Sequence, residues 1–363
     1  MQLHKLKVHA PEVIRMIPDA ELAKLAKDTK VDYCAKVLTG ERMFYLLLYA
    51  FLMADRQSQR KLESVFASRP FNALFNYSVD MKVTRSSIST RLSTISLDFF
   101  EQSFQLIYNK LSSLYTEYDI RGMNLIRVDS TMVAETCNKL KAGFTVGRKA
   151  EGKEGRRQIK YTMAYDGFAA KLAEVFSQPA YLNEDKAMPE VVRALIKKDK
   201  DHKNIYVLDR GLKALANYKE FDKNDAVFVG RINTNRKKVE SEVWFITNVT
   251  NEPGKLQLTA QEIAEAYRRR WDIEVFYRFL KQNLSFSHFM STSENGIKVI
   301  LYMTLITAML IMIYKRLNDI GYTDAKFCFK LEIEEWIIEL NVAIRTGELD
   351  HRKAILANRC RIP

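Results

Sequence analysis

The segment from residue 267 to residue 281 reads YRRRWDIEVFYRFLK, and its periodicity predicts one continuous helix. An α-helix turns about 100° per residue, so Tyr267, Arg270, Glu274 and Lys281 fall within about 60° of one another. The apolar residues of the segment lie on the other side: Ile273, Phe276, Phe279 and Leu280. A carboxylate flanked by a phenol, a guanidinium and an ammonium favours a metal site acting on a phosphodiester. The same residues can also form a solvated face with weak ion pairs.

Two aspartates outside this segment follow short apolar runs that are typical of strands. Asp129 follows MNLIRV in the context DST, and Asp209 follows NIYVL in the context DRG. We expect each strand to end at its aspartate. If the strands are parallel neighbours, both carboxylates leave the sheet at one edge, where α/β proteins place their active sites. Alone, each aspartate is more typical of a turn or a helix cap.

Together, Asp129, Asp209 and Glu274 form a candidate catalytic and metal-binding set. Three carboxylates can hold two Mg²⁺ ions about 3.5–4 Å apart, one activating a water or a 3′-hydroxyl and the other stabilising the leaving oxygen. Oxygen ligands of this type suit Mg²⁺, or Mn²⁺, better than zinc.

The order of apolar patterns predicts three regions: a helical domain over residues 1–118, an α/β domain over 119–345 and a C-terminal tail over 346–363. Three strand-like runs, a helix near 186–198, a strand, a helix after Gly211 and a strand near 226–232 predict a mixed sheet flanked by helices. Residues 231–258 interrupt this pattern as a β-rich insertion. The apolar run 299–314 is shorter than the ~20 residues that span a bilayer, which favours a buried core helix.

The charge balance points to a polyanionic partner. The formal net charge is +13 and the pI is about 9.4, which favours nucleic acid ahead of an anionic membrane. The four cysteines form no CxxC pair, so we expect neither a zinc site nor a disulfide framework. The N-terminus lacks the apolar stretch of a signal peptide, and we expect a cytoplasmic protein.

Two further basic regions are candidates for DNA contact. The run VTRSSISTRLSTI from Val83 predicts a helix capped by Thr84, with Arg85 and Arg91 facing outward and three apolar residues facing inward. It has the character of the second helix of a helix-turn-helix, or of a Ser-rich surface helix. Residues 139–160 are rich in glycine and cations, among them Arg148, Lys149, Arg156, Arg157 and Lys160. We expect this stretch to order on DNA; the alternative is a mobile surface loop.

The spacing Y-x2-R-x3-E-x6-K over Tyr267, Arg270, Glu274 and Lys281, with Asp129 and Asp209, resembles the DDE transposases of bacterial insertion sequences that carry the YREK motif. The resemblance covers nearly the whole chain. It implies a ribonuclease H-like fold, a mixed five-stranded sheet with strand order 3-2-1-4-5. In such a fold the first and fourth strands carry the two aspartates. In this branch a β-rich insertion precedes the helix that bears the glutamate.

The resemblance also implies individual roles. Tyr267 and Arg270 would bind the phosphate near the cleaved transposon end, and Lys281 would neutralise a backbone phosphate. Arg210, beside Asp209, joins the DNA contacts. Trp244 is placed to stack on a flipped base in a hairpin intermediate, or else packs in the core of the insertion. Trp271 is expected to pack at the sheet.

Family membership would make the protein a Mg²⁺-dependent cut-and-paste transposase associated with the nucleoid. Its partners would be double-stranded DNA at terminal inverted repeats, target DNA and a second copy of the chain in a paired-end complex. Two alternatives remain: a ribonuclease H-like nuclease that cuts without strand transfer, and a non-catalytic DNA-binding protein of the element.

Overall fold

A computed structural model describes residues 6–53, 58–77, 81–114, 119–134, 140, 143–145, 156–199, 202–232, 243–249 and 256–346. The chain groups into two compact units, one of Met1–Leu114 with Phe279–Pro363 and one of Tyr115–Arg278. We call the first the helical unit and the second the sheet unit.

The helices are α1 (Ala10–Arg15), α2 (Asp19–Asp28), α3 (Gly40–Met53), α4 (Gln59–Phe66), α5 (Arg69–Leu74), α6 (Arg85–Thr94), α7 (Leu97–Ser112), α8 (Glu184–Ile196), α9 (Leu215–Lys223), α10 (Ala260–Arg268), α11 (Trp271–Asn283), α12 (Glu294–Leu317) and α13 (Tyr322–Thr346). The strands are β1 (Asn124–Ala134), β2 (Phe144–Thr145), β3 (Arg157–Tyr165), β4 (Ala170–Phe176), β5 (Asn204–Leu208), β6 (Val227–Ile232) and β7 (Trp244–Thr247).

The helical unit includes the C-terminal helices α12 and α13, whereas the sequence assigned residues 119–345 to one α/β domain. The reason is the character of α12, which is apolar on all sides and packs against α3, α7 and α13. Among the described residues α12 is the one helix long and apolar enough to cross a membrane, but 89% of its most apolar stretch is buried inside the protein. This burial is the one expected for a core helix.

Helix α6 forms as the sequence predicts. The Thr84 hydroxyl accepts a hydrogen bond from the Ser87 backbone amide, and Ile88, Leu92 and Ile95 are buried. A helix-turn-helix needs two helices joined by a short turn. Helix α4 does pack against α6, but α5 lies between them in sequence, so the short turn is absent from this pair.

Within its described residues, the sheet unit contains a mixed sheet of seven strands rather than the predicted five. The order is β2-β3-β1-β5-β6-β7, and β4 also pairs with β3. The added strands are short: β2 pairs with the start of β3, and β7, from the predicted insertion, pairs antiparallel with β6 and so extends the sheet. Without these two, the spatial order β4-β3-β1-β5-β6 is third, second, first, fourth and fifth in chain order. Residues 233–242 and 250–255 of the predicted insertion, and 347–363 of the predicted tail, lie outside the described residues.

Helices cover both faces of this sheet. On one face α8 and α9 pack on Ile126, Val128, Tyr206 and Leu208. On the other face α10 packs on a second cluster that contains Leu125, Ile205, Val207, Val229 and Ala266. Because successive side chains of a strand point to opposite faces, odd-numbered residues of β1 and β5 point toward α10. We call this the α10 face, and the opposite one the α8 face.

The helix predicted over 267–281 is broken. Helix α10 ends at Arg268 and α11 begins at Trp271. In between, the amides of Arg270 and Asp272 bond to carbonyls only three residues back, at 3.0 and 3.1 Å. Tyr267 and Glu274 therefore belong to different helices, and the prediction of a single helix is wrong. The pattern of apolar and polar residues does not reveal the break, because the tight turn leaves the apolar residues on the buried side of both helices.

Candidate active site

The register between β1 and β5 places the two aspartates side by side. The strands are parallel, and their last paired residues are Val128 and Leu208. Asp129 and Asp209 come next in each strand direction, and both have the parity that points to the α10 face. Asp209 follows the end of β5, but β1 continues to Ala134 by pairing with β3. The prediction that β1 ends at Asp129 is wrong, because the strand continues to Ala134. Its pairing with β5, however, does end just before Asp129.

One guanidinium joins all three candidate carboxylates. Arg270 Nη1 lies 3.3 Å from Asp129 Oδ2 and 3.5 Å from Asp209 Oδ1, and Nη2 donates to Glu274 Oε1 at 2.5 Å. Glu274 lies on the first turn of α11, four residues after Arg270, and reaches the aspartates through that guanidinium. The Nε of Arg270 is buried and has no hydrogen-bond partner among the described residues. The guanidinium therefore links the three carboxylates, and its buried Nε is the atom left without a partner.

Burial changes the acid–base behaviour of Asp129. Desolvation and the neighbouring carboxylate of Asp209 raise the pKa of Asp129 to about 7, against a lowering by Arg270 and by the Ser130 amide. A carboxyl that ionises near neutrality in a cleft is a feature of functional sites.

The three carboxylates open into a cavity of about 570 Å³ that is rich in cations. Its lining residues are Asp129, Asp209, Arg210, Arg231, Tyr267, Arg270, Trp271 and Glu274. The ring of Tyr267 lies 5.9 Å from the Arg270 guanidinium and packs against Phe245 of β7 at 5.3 Å. A lining of three carboxylates and three arginines suits a ligand that carries phosphate and binds together with a cation.

Residues 121–310, more than half of the chain, match the family described as Transposase DDE domain. The chain belongs to this transposase DDE domain family. A transposase for insertion sequence element IS4SA from Synechocystis sp. is 31% identical over 136 residues, covering 32% of this chain and 39% of that protein. The transposase y4zB from Sinorhizobium fredii is 35% identical over 82 residues, covering 23% of this chain and 22% of that protein. The chain thus spans well under half the length of these relatives.

Among solved structures, the piggyBac transposase synaptic complex with hairpin DNA aligns over 100% of this chain and 87% of that chain. The TM-score is 0.49 and the identity is 10%. A similarity at this level adds nothing to the family assignment.

The donor chemistry of this DDE-domain protein fits a divalent cation, since three carboxylates supply hard oxygen ligands. Among the described residues, however, no three His, Cys, Asp or Glu side chains are close enough to share one ion. The reason is visible in the site, where the carboxylates are spread around the guanidinium of Arg270.

Two anchors of the site carry no motif that sequence reasoning used. The Tyr277 hydroxyl, on α11, donates to the backbone carbonyl of Asp129 at 2.7 Å. Buried Arg127 bonds Asp119 at 3.1 Å and Asp272 at 3.2 Å, and its Nε donates to the carbonyl of Arg269. Both tie the start of α11 to β1. For Arg127 the sequence offers one indication of such a role, namely a charged residue inside the apolar run MNLIRV.

Both tryptophans of this region are about half exposed. Trp271 lines the cavity and is 52% exposed, so the prediction that it packs at the sheet is wrong, since it stands at the exposed start of α11. Trp244 is equally exposed and pairs with Ile232, but it is not among the cavity-lining residues. Its neighbour Phe245 packs on Tyr267, so alternation turns Trp244 to the opposite face.

The other residues of the sheet unit that were predicted to contact DNA do not lie together in one site. Arg210 lines the cavity. Arg148 and Lys149 lie outside the described residues. Arg156 is exposed, and Arg157 begins β3 with its Nη1 donating to the carbonyl of Leu140 at 2.8 Å. Lys160 is buried with three partners, so its place in a DNA-binding loop is wrong, because it belongs to β3.

The predicted contacts in the helical unit also diverge. Arg85 is exposed at the start of α6. Arg91 does not face outward, since its guanidinium donates to the carbonyls of Leu38 and Val31, joining that loop to α6. Lys281 lies on α11 two turns after Glu274, in the part of the helix grouped with the helical unit.

Proposed function

We propose that this protein is a DNA transposase that cuts an insertion sequence at its ends and joins the freed 3′-hydroxyl ends to target DNA. The observation that carries the proposal is the convergence of Asp129, Asp209 and Glu274 on Arg270, in a cavity lined by further arginines. Membership in the transposase DDE domain family supports it.

The finer family assignment is also a proposal. The order of the five longer strands supports a ribonuclease H-like fold, and the placement of the aspartates after neighbouring strands fits it. The unbroken spacing of Tyr267, Arg270, Glu274 and Lys281 supports the YREK branch.

We assign Asp129, Asp209 and Glu274 as the residues that hold the catalytic cations, two Mg²⁺ ions or Mn²⁺. Bound there, divalent cations would supply activation of the attacking hydroxyl and neutralisation of charge at the phosphodiester. Asp129 must be ionised for this role, and its raised pKa makes cation binding dependent on pH near neutrality.

Arg270 and its cationic neighbours are assigned to the DNA phosphate. The unpartnered Nε of Arg270 needs an acceptor, and a phosphate oxygen supplies one. Tyr267, Arg210 and Arg231 line the same cavity and would hold the adjacent backbone. Lys281 would neutralise a more distant phosphate. The net charge of +13 supports a nucleic-acid partner.

The remaining features of the proposed reaction concern assembly and intermediates. A hairpin intermediate with a flipped base would use an exposed aromatic ring, either Trp244 or the cavity-lining Trp271. The partners would be terminal inverted repeats, target DNA and a second copy in a paired-end complex. We propose that Arg85, Arg156 and the region of Arg148 and Lys149 contribute to DNA binding, in a cytoplasmic, nucleoid-associated protein.

The test is an end-cleavage assay on DNA that carries the element's inverted repeat, with Mg²⁺ or Mn²⁺. Asp129→Asn, Asp209→Asn and Glu274→Gln should each abolish cleavage while end binding persists. Arg193→Ala is a suitable control, because Arg193 pairs with Glu220 on α9 and does not line the cavity. Full cleavage by all three variants would refute the assignment.

Two alternatives are separated by adding pre-cleaved ends and a target plasmid. Joining to the target supports the transposase. Cleavage without joining would instead support a nuclease, and tight end binding with no cleavage under any divalent cation would support a non-catalytic DNA-binding protein.

A further inference from the structure

A buried lysine lies on the α8 face of the sheet, away from the cavity. Lys160 of β3 has a side chain that is 2% exposed. Its Nζ donates to the carbonyls of Tyr181 and Leu182 at 3.0 and 2.9 Å and lies 2.7 Å from Glu184 Oε1. An ammonium has three donors, and all three are used. Lys160 therefore fixes the chain that leads into α8 and fixes Glu184, the first residue of that helix.

Glu184 passes this constraint on to β1. The Ser130 hydroxyl donates to Glu184 Oε2 at 2.8 Å. Since a hydroxyl has one proton, the Thr162 hydroxyl is the donor in its 2.9 Å contact with Ser130. Ser130 is the residue after Asp129, and its backbone amide donates to Asp129 Oδ1 at 2.8 Å. The orientation of the Asp129 carboxylate is thus linked through Ser130 to Glu184.

The same glutamate limits the loop after Asp209. A Cβ added at Gly211 would lie 2.8 Å from Glu184 Cγ, so the loop backbone packs directly on this side chain. The Gly211 amide donates to Asp209 Oδ2 at 3.1 Å. Asp185, the next residue of α8, accepts from the amides of Lys213 and Ala214 at 2.6 and 2.7 Å and completes the attachment of this loop.

Glu184 therefore contacts the two residues whose amides hold the two aspartates. We propose that Glu184, held by Lys160, is a positioning residue that sets the orientation and separation of Asp129 and Asp209 from the opposite face of the sheet. The inference rests on the proposed function for its catalytic consequence. The geometric part, fixation of the Ser130 and Gly211 amides, stands independently of it.

The experiment compares Glu184→Ala, Glu184→Gln and Glu190→Ala in the full-length chain. Glutamine can accept from Lys160 through its oxygen, donate to Ser130 through its amide nitrogen and keep the contact with Gly211, whereas alanine removes all three. Glu190→Ala is the matched control, because it removes an ion pair with Arg193 on the same helix. Each variant is measured for Tm, end-DNA affinity, cleavage rate per folded molecule, and residue-resolved amide hydrogen exchange at Ser130 and Gly211.

We expect Glu184→Ala to lower the cleavage rate at least about tenfold with end-DNA affinity unchanged, because small displacements of catalytic groups are costly. Amide exchange at Ser130 and Gly211 should rise in the same variant. Glu184→Gln should restore most of the rate, and Glu190→Ala should match the wild type. A merely structural glutamate would lower Tm in both Glu184 variants and leave the rate per folded molecule unchanged.

Glu184→Ala leaves Lys160 buried without its carboxylate and can prevent folding. In that case Lys160→Met combined with Glu184→Ala replaces it, since the double variant has no uncompensated buried charge. Wild-type cleavage and unchanged amide exchange in the folded variant would overturn the inference and leave the proposed function intact. If the wild type itself does not cleave, the proposed function fails, and amide exchange alone decides the positioning role.

Discussion

The hydroxyl of Tyr277 donates a hydrogen bond to the backbone carbonyl of Asp129. Tyr277 is buried and lies one turn after Glu274 on α11. This bond is one of the contacts that connect the helix carrying the candidate glutamate to the strand carrying the first aspartate. Burial and the charge of Asp129 raise the pKa of Tyr277 well above its ordinary value, so the phenol remains a proton donor.

Tyr277→Phe should therefore reduce activity more than stability. Loss of one such bond lowers the free energy of unfolding by about 0.5–1.5 kcal/mol. The cleavage rate should fall by more than this loss of stability explains, because α11 and its Glu274 lose one of the contacts that hold them against β1. Tyr165→Phe is the control, since its hydroxyl donates to the carbonyl of Gly167 in a turn. Urea unfolding and end cleavage measure the two effects, and equal rates for both variants would contradict the prediction.

Arg127→Met should mainly destabilise the sheet unit. Arg127 is 1% exposed and pairs with Asp119 and Asp272. Asp119 keeps Arg269 at 2.9 Å and Asp272 is half exposed, so the loss should lie near or below the lower end of the about 3–5 kcal/mol typical of a broken buried pair. Asp119→Asn should cost less in the Arg127→Met background than in the wild type, as urea unfolding of the four proteins measures. An equal cost in both backgrounds would count against the pairing.

Asp129→Asn should change the pH dependence of stability. The pKa of Asp129 is about 7 in the folded protein and 3.8 is its ordinary value, so the folded state binds the proton more tightly. Its contribution to stability is present below the ordinary value and is lost as the pH rises toward 7. Without added divalent cations, the asparagine variant should be more stable than the wild type near pH 8, and the gain should disappear near pH 4. Urea unfolding across this range checks it; a constant difference would refute it.

Arg270→Ala and Lys281→Ala should each weaken end-DNA binding. Each should also flatten the salt dependence by about one phosphate, a slope change of about 0.9. Affinity measured over a series of salt concentrations is the test, with Arg193→Ala as a control for net charge. An unchanged slope for Arg270→Ala would return Arg270 to a purely carboxylate-pairing role.

Replacement of the two exposed tryptophans distinguishes their roles in a hairpin pathway. Trp271 lines the cavity, whereas Trp244 is not among its lining residues. If base stacking contributes about 1–3 kcal/mol, Trp271→Ala should reduce hairpin formation at least about fivefold. Trp244→Ala should have less effect. Hairpin and nicked products are separated on denaturing gels, and a larger loss with Trp244→Ala would show that Trp244, not Trp271, stacks on the base.

The sequence by itself determined the features that depend on local order. The cap of α6 at Thr84 and the burial of α12 follow from short-range patterns. Tyr267, Arg270 and Glu274 lie together as their spacing predicts, although their helix is broken, because the turn at 269–270 leaves all three at the cavity.

The tertiary structure decided what long-range contacts control. Apolar runs do not state which strands pair, and it is the β1–β5 register that brings Asp129 and Asp209 together. Charged residues such as Arg127 and Lys160 look exposed in sequence, but partners distant in the chain compensate their burial. The same physics separates Arg270 from Lys160: the fold satisfies all three donors of the Lys160 ammonium, whereas it leaves the Nε of Arg270 without a partner among the described residues.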